Sequence, residues 1–199
     1  MNVSTNISAY ILCGGKSSRM QTEKGLVTYL NKPFIQLVIE AILPITSNIF
    51  LVTDNQYYSS FGFPLIPDVY KEKGPVGGIY SALNHSDSDY NLLLSCDIPN
   101  ITSSVIDNYL INNLSSDTDV SLLSDDSDSY PLIAIYNKRV ESKFLEAINL
   151  NKLKLISLLA ELNCQNIKVK KEDFNALKNI NTKEDLRRIV KRENQLNTK

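Results

Sequence analysis

The sequence holds a single histidine, and that scarcity limits the chemistry available to the chain. One imidazole excludes a histidine-rich metal site and makes a serine–histidine–aspartate triad a poor reading. His85 itself stands in the polar stretch NHSDSD, where it reads as a loop residue following a helix. Cysteine is scarce too. Cys13, Cys96 and Cys164 are odd in number and far apart in sequence, with no CxxC pair and no zinc spacing, as suits a reducing cytosol. An excess of one charge is also lacking, since 21 Lys and Arg face 22 Asp and Glu for a formal net charge of −1. That balance argues against a protein that coats nucleic acid or an acidic membrane, so any anion it binds must be gripped locally. No apolar run is long enough to span a bilayer, and the opening MNVSTNIS has no basic region. A soluble, cytoplasmic protein without a signal peptide is therefore expected.

What the sequence does contain is an ordinary globular composition, 43% hydrophobic and 22% charged over 199 residues. A chain of this length can bury roughly 70% of its unfolded surface as one domain. Residues 1–192 read as that single domain, and 193–199 as a polar tail. Apolar runs of strand length alternate with helical patterns. AYIL is a short buried strand ended by glycines, and KPFIQLVIEAIL predicts a helix with Pro33 in its first turn. NIFLVTD and PLIPD follow as strands, and GPVGGIYSALNH looks like a glycine loop opening a helix. NLLLSC is apolar enough for a central strand buried on both faces. Thr102 is placed to cap a helix over SSVIDNYLINNL. DVSLL and YPLIAIYN supply two more strands, with Pro131 favouring a strand start or an edge. Helical pieces near 138–149 and 153–161, a strand around NIKV and a helix from Lys183 to about Arg192, capped by Thr182, complete the chain.

This alternation predicts a three-layer α/β fold around a mainly parallel, mixed central sheet. In such sheets ligands bind beyond the carboxyl ends of the strands. The predicted strand ends carry Cys13-Gly14-Gly15, Thr53-Asp54-Asn55, Asp68 and Asp97. The first of these opens LCGGKSSRMQTEKG, which matches neither GxxxxGK(S/T) nor GxGxxG. Gly14 and Gly15 still let backbone amides approach a ligand, while Arg19 and Lys24 offer a guanidinium fork and a mobile point charge to phosphates. A solvated surface loop would read the same way locally. Asp97, behind the uncharged LLLSC, is well placed for Mg2+, which often takes one or two protein carboxylates and completes its shell with water and phosphate oxygens. A turn aspartate bonding nearby backbone is the competing reading. Asp68 could bond a nucleotide, hold a metal-bound water or cap a loop. Gly74 and Gly78, in GPVGG, bracket a predicted helix N-terminus suited to a nucleobase carbonyl or a phosphate.

Together these stretches resemble the molybdenum cofactor guanylyltransferases. The family's opening signature appears as LCGGKSSRMQTEKGL, its GKP as NKP, its GPLAG as GPVGG, its CDTP as CDIP, and a late asparagine-rich element as NINTKEDL. The matches fall in family order from residue 11 to about residue 186. The resemblance implies a Rossmann-like nucleotidyltransferase fold and transfer of GMP from GTP to the terminal phosphate of the molybdenum–molybdopterin cofactor, releasing pyrophosphate. It makes Leu12, Cys13, Gly14, Lys24, Asp68 and Asp97 nucleotide contacts, and Asp97 the Mg2+ ligand. It also aligns Asn179 and Asn181 with a pair near the acceptor pocket. Cys13 replaces the family's usual alanine, Gln21 a common glycine and Glu23 the usual aspartate.

The partners implied are GTP, the molybdenum–molybdopterin cofactor and proteins that deliver or receive it. A phosphate-monoester acceptor is largely dianionic at neutral pH and needs no general base, which accords with the scarcity of histidine. Catalysis would then fall to Arg19, Lys24 and Asp97. Two alternatives stay open on sequence alone: a nucleotidyltransferase using CTP or another phosphorylated acceptor, and a catalytically silent nucleotide-binding protein.

Overall fold

The computed structural model describes residues 6–14 and 23–196, with side chains as far as residue 190. Gly15, Arg19 and Gln21 lie outside the described residues. The chain opens with β1 (Ile7–Leu12), and after a short turn at Lys24–Leu26 makes a small hairpin of β2 (Thr28–Tyr29) and β3 (Lys32–Pro33). Helix α1 (Phe34–Ile42) follows, then β4 (Ile49–Val52), β5 (Leu65–Ile66), α2 (Gly74–His85) and β6 (Tyr90–Ser95). The second half contains α3 (Ser103–Val105), β7 (Val120–Ser124), β8 (Ser129–Asn137), α4 (Glu141–Asn149), α5 (Leu155–Leu159), β9 (Cys164–Lys168) and α6 (Lys183–Leu196).

Seven strands form one sheet in the order β5-β4-β1-β6-β8-β7-β9. Strand β8 runs antiparallel to both of its neighbours, and every other pairing is parallel. The mixed, mainly parallel sheet expected from the alternation of strands and helices is therefore present. All six residues of β1 are buried, because helices cover both faces of the sheet. Side chains alternate between two cores: Ala9, Ile11, Leu92 and Leu94 point into one, Tyr10, Leu12 and Leu93 into the other. Helix α1 lines the first core through Ile35, Val38, Ile39 and Ile42, while α2, α4 and α5 line the second. Truncating a fully buried leucine such as Leu94 to alanine costs about 2–5 kcal/mol in such packing.

Several local expectations are met. Thr102 accepts a hydrogen bond from the Val105 amide at 3.3 Å and starts a helical stretch that widens over Ile106–Leu110 and tightens over Ile111–Asn113. Thr182 and Asp185 cap α6 reciprocally, Asp185 N donating to Thr182 Oγ1 at 3.0 Å and Thr182 N to Asp185 Oδ2 at 2.9 Å. Helix α6 carries on through Leu196, past its expected end near Arg192.

Other expectations are corrected. Pro33 caps α1 and pairs with Thr28 in the hairpin, so the helix begins only at Phe34. β8 is an interior strand, not an edge, but Pro131 stands near its start as expected, before the residues that pair with β6 and beside the shift in the β7 register between Leu122 and Leu123. His85 is the last residue of α2 rather than a loop residue, and its Nδ1 lies 3.0 Å from the Tyr10 hydroxyl. GPVGG is no loop before a helix: it forms the first turns of α2. Among the described residues, no helix is long and apolar enough to cross a membrane.

Candidate active site

Because β5, β4, β1 and β6 run parallel, Asp68, Thr53–Asn55, Cys13–Gly14 and Asp97 all emerge from one edge of the sheet. The backbone of that edge is continuous: Cys13 N donates to Val52 O at 3.1 Å and Cys96 N to Leu12 O at 3.2 Å. Gly14 is exposed there, with open space where a Cβ would stand.

Asp97 sits just past β6 and is only 4% exposed. Its Oδ1 accepts from the Ser95 hydroxyl and, at 2.6 Å, from Asn179 Nδ2. Its Oδ2 accepts from Lys24 Nζ at 2.9 Å. Lys24 donates a second hydrogen bond to Asn181 Oδ1. The main chain is tied in as well, Ile180 N donating to Asp97 O at 2.8 Å. Two segments far apart in sequence thus meet: NINT crosses the end of β6 and offers a donor to the carboxylate and an acceptor to the ammonium. Ile180, fully buried against Tyr29 and Phe34, pins this strap from below. A charge removed from water this far is tolerable because it is both paired and hydrogen-bonded.

Lys24 owes its position to the residue after it. A Cβ on Gly25 would stand 2.7 Å from the Tyr58 hydroxyl, so only glycine lets the Lys24–Leu26 turn press onto that buried ring. Tyr58 is buried, and its desolvated hydroxyl is pushed well above the usual tyrosine range.

The other end of the edge is built differently. Asp68 is half-buried, and its Oδ1 is a buried atom with no hydrogen-bond partner among the described residues. Burial first, and the charge of Asp54 second, raise its pKa above the ordinary 3.8, while Lys71 and the Ser81 hydroxyl pull the other way. Ser81 also accepts from Val69 N at 3.0 Å and holds the chain just past Asp68. Between the two carboxylates lie three strand spacings, about 14 Å at the usual inter-strand distance. Thr53 and Asn55 are occupied locally: Thr53 Oγ1 accepts from Asn55 N, and Asn55 Oδ1 from Tyr57 N. Among the described residues, Asp54 makes an exposed 3.6 Å ion pair with Lys71.

Gly74 opens α2 with φ +58°, a left-handed conformation suited to glycine. Gly78 lies inside the helix, where a Cβ would stand 3.3 Å from Leu12 Cδ2, so its absence lets α2 close onto β1. Leu12 is itself buried at that contact. A separate cavity of about 340 Å3 between α4 and α5, lined in part by Lys143, Leu150, Lys152 and Leu158, shares none of these residues.

The sequence reading missed three features. Ser95 is one, although its position two residues before Asp97 would have placed it on the same side of a strand. The closeness of Cys13 and Cys96 is another: both thiols are buried and side by side at the ends of neighbouring strands, and burial pushes the Cys13 thiol well above its ordinary value. The third is the tie between Lys178 and the acidic loop after β7, in which Lys178 Nζ lies 2.6 Å from Asp125 Oδ2.

Comparison with known proteins accords with this arrangement. Residues 9–195 match the family described as the MobA-like NTP transferase domain. A probable molybdenum cofactor guanylyltransferase of Flavobacterium johnsoniae is 42% identical over 180 residues, covering 90% of this chain and 94% of its own. The molybdenum cofactor guanylyltransferase of Vibrio campbellii is 33% identical over 92% of this chain and 94% of its own. The crystal structure of molybdopterin-guanine dinucleotide biosynthesis protein A from Archaeoglobus fulgidus superposes with a TM-score of 0.78 at 24% identity, covering 91% of this chain and 95% of that one, a likeness of fold. A parallel strand edge with a lysine–aspartate pair at one end and, at the other, a carboxylate with one oxygen left without a partner among the described residues is thus the edge of a nucleotidyltransferase, and the chain belongs to the MobA-like NTP transferases of the molybdenum cofactor guanylyltransferase family.

Proposed function

We propose that the protein transfers GMP from GTP to the terminal phosphate of the molybdenum–molybdopterin cofactor, forming the guanine dinucleotide cofactor and pyrophosphate. The observation that carries this reading is the Lys24–Asp97 pair, held by Asn179 and Asn181 at the carboxyl edge of the sheet. A phosphoryl-type transfer needs charge neutralisation and alignment rather than covalent help, and a preset cation at a strand end supplies both.

In this reading the triphosphate lies toward Lys24 and the nucleoside toward Asp68. The partnerless Oδ1 of Asp68 suits a ligand N–H or O–H donor, which would relieve its unsatisfied burial. Lys24 neutralises phosphate oxygens as the acceptor dianion approaches and as charge develops on the leaving pyrophosphate. Asn181 keeps the ammonium aimed by accepting one of its protons, and Asn179 with Ser95 keeps the Asp97 carboxylate from turning. Arg19, five positions before Lys24 in sequence, is assigned to the same phosphates.

Asp97 also fits Mg2+. Its Oδ2 already attracts the cation nearest to it, the Lys24 ammonium, and its Oδ1 is occupied by neutral donors. Among the described residues no group of three or more His, Cys, Asp or Glu could hold a metal ion. The ion that fits here is one that takes a single carboxylate and completes its shell with phosphate oxygens and water, as Mg2+ does. Bound there, it would supply Lewis-acid stabilisation of the phosphates.

The reading is tested by pyrophosphate release from a panel of nucleoside triphosphates with purified protein and molybdenum–molybdopterin cofactor. GTP is expected to be turned over well above the others; equal turnover of CTP would replace the guanylyl reading with another nucleotidyl transfer.

A further inference from the structure

Among the described residues, the acidic loop between β7 and β8 makes no hydrogen bond or ion pair with a residue assigned to substrate, yet it is wired to the strap that carries Asn179 and Asn181. Strand β7 runs in the same direction as β6, so this loop emerges on the same edge of the sheet as Asp97. Asp125 organises it. Its Oδ1 accepts from the amides of Ser127 and Asp128, each at 2.8 Å, and fixes the turn. Its Oδ2 accepts from the Tyr130 hydroxyl at 2.7 Å and from Lys178 Nζ at 2.6 Å. Lys178 donates to the Tyr130 oxygen as well, with its ammonium 5.3 Å from the centre of that ring. The Asp125 side chain is only 4% exposed, whereas that of Lys178 is 46% exposed. The lysine therefore reaches in from solvent to a carboxylate that is already held.

Lys178 is the residue before Asn179. Anchoring its side chain fixes the chain one Cα step, about 3.8 Å, from the residue that bonds Asp97. On the far side, Ile180 is buried between Tyr29 and Phe34, and Thr182 is locked by its reciprocal cap with Asp185. The far side is held by packing and a helix cap; the near side is held by Ala176 and Leu177, buried in the first core, and by the side-chain tie from Lys178 into the β7–β8 loop.

We propose that Asp125, Tyr130 and Lys178 form a positioning latch, which sets the strap so that Asn179 and Asn181 hold Asp97 and Lys24 in their working arrangement. None of the three touches substrate in the reading above; they act through the asparagines. Lys178 beside Asp125 holds that carboxyl well below the usual carboxylate range, so the latch stays charged throughout the neutral pH region. The role in turnover rests on the proposed transfer reaction, but the latch itself can be read without it.

The test is amide hydrogen exchange on the full chain, followed by kinetics on the same samples. Ile180 N, bonded to Asp97 O, reports the strap, and the amides of Leu92–Leu94 report the sheet. In Asp125→Asn and in Lys178→Met, Ile180 exchange is expected to quicken by about 10-fold while the β6 amides keep their wild-type rates. Lys178→Arg is expected to restore protection. With GTP as donor, kcat should fall by about 10-fold in the first two variants, with KM for GTP held within about twofold. In an Asn181→Ala background, Asp125→Asn should add little, since the contact it supports is already gone. Unchanged Ile180 exchange overturns the latch, as does equal acceleration across β6, and so does full additivity with Asn181→Ala. If Ile180 responds as expected but no triphosphate yields pyrophosphate, the transfer reading falls and the latch stands.

Discussion

Asp97 and Asp68 stand on the same sheet edge and are prepared in opposite ways. Asp97 has its side-chain partners before any ligand arrives: Lys24, Ser95 and Asn179 occupy both oxygens. Asp68 presents a buried oxygen without a partner among the described residues and carries a raised pKa, chiefly from burial and then from the charge of Asp54. In the proposed reading, the difference separates two tasks. A group that holds the cations stabilising developing charge gains from being fixed in advance, since no reorganisation is then needed during reaction. A group that recognises a neutral donor gains from being left unsatisfied, since the free enzyme is then the less stable partner in the comparison and binding repairs it.

The comparison breaks most sharply at its fixed end. Asp97→Ala is expected to abolish GTP-dependent transfer, a loss of at least about 10³-fold, with the fold retained by circular dichroism. Measurable wild-type-like pyrophosphate release in that variant would remove Asp97 from the mechanism. Lys24→Ala should be less severe, lowering kcat by about 10²- to 10³-fold, because one electrostatic donor is lost while others remain. An effect confined to KM would reassign Lys24 to ground-state binding.

At the open end the expected effect is smaller and of a different kind. Asp68→Asn should raise KM for GTP by about 10-fold with little change in kcat, as loss of one hydrogen-bond acceptor in binding does. It should also leave the free protein no less stable. The sign follows from linkage: a carboxyl whose folded pKa lies above the ordinary 3.8 binds its proton more tightly when folded. Ionising it as pH rises from that ordinary value through the raised folded value therefore lowers stability. Thermal unfolding of wild type and Asp68→Asn should diverge in favour of the variant over that window and run parallel above it. A constant difference across the window would mean that Asp68 has found a partner.

Much of this edge was readable from residue order. Strand-length apolar runs ending in Cys13-Gly14, Asp68 and Asp97 point to the edge as soon as a parallel sheet is granted, and Thr182 with Asp185 spells a helix cap. The wiring was not readable, because it joins residues whose proximity depends on the whole topology. Lys24 and Asn181 are 157 positions apart, and Asp125 and Lys178 are 53 apart. GPVGG misled for a specific reason. Glycine is a poor helix former by about 1 kcal/mol, so a glycine cluster reads as loop, yet the contact of Gly78 with Leu12 outweighs that preference. SDDSDS conceals its role in a different way. As a sequence it is a solvated acidic stretch, and only the fold shows Asp125 turned inward onto Lys178 and Tyr130.

The central claim, that a GMP unit passes from GTP to a phosphate acceptor at this edge, is tested most directly by following the phosphorus atoms. GTP labelled at the α-phosphate should place its label in the guanine dinucleotide cofactor, and GTP labelled at the γ-phosphate should place it in pyrophosphate, both at the same rate. Label from the γ-phosphate in the cofactor, or release of inorganic phosphate in place of pyrophosphate, would contradict it.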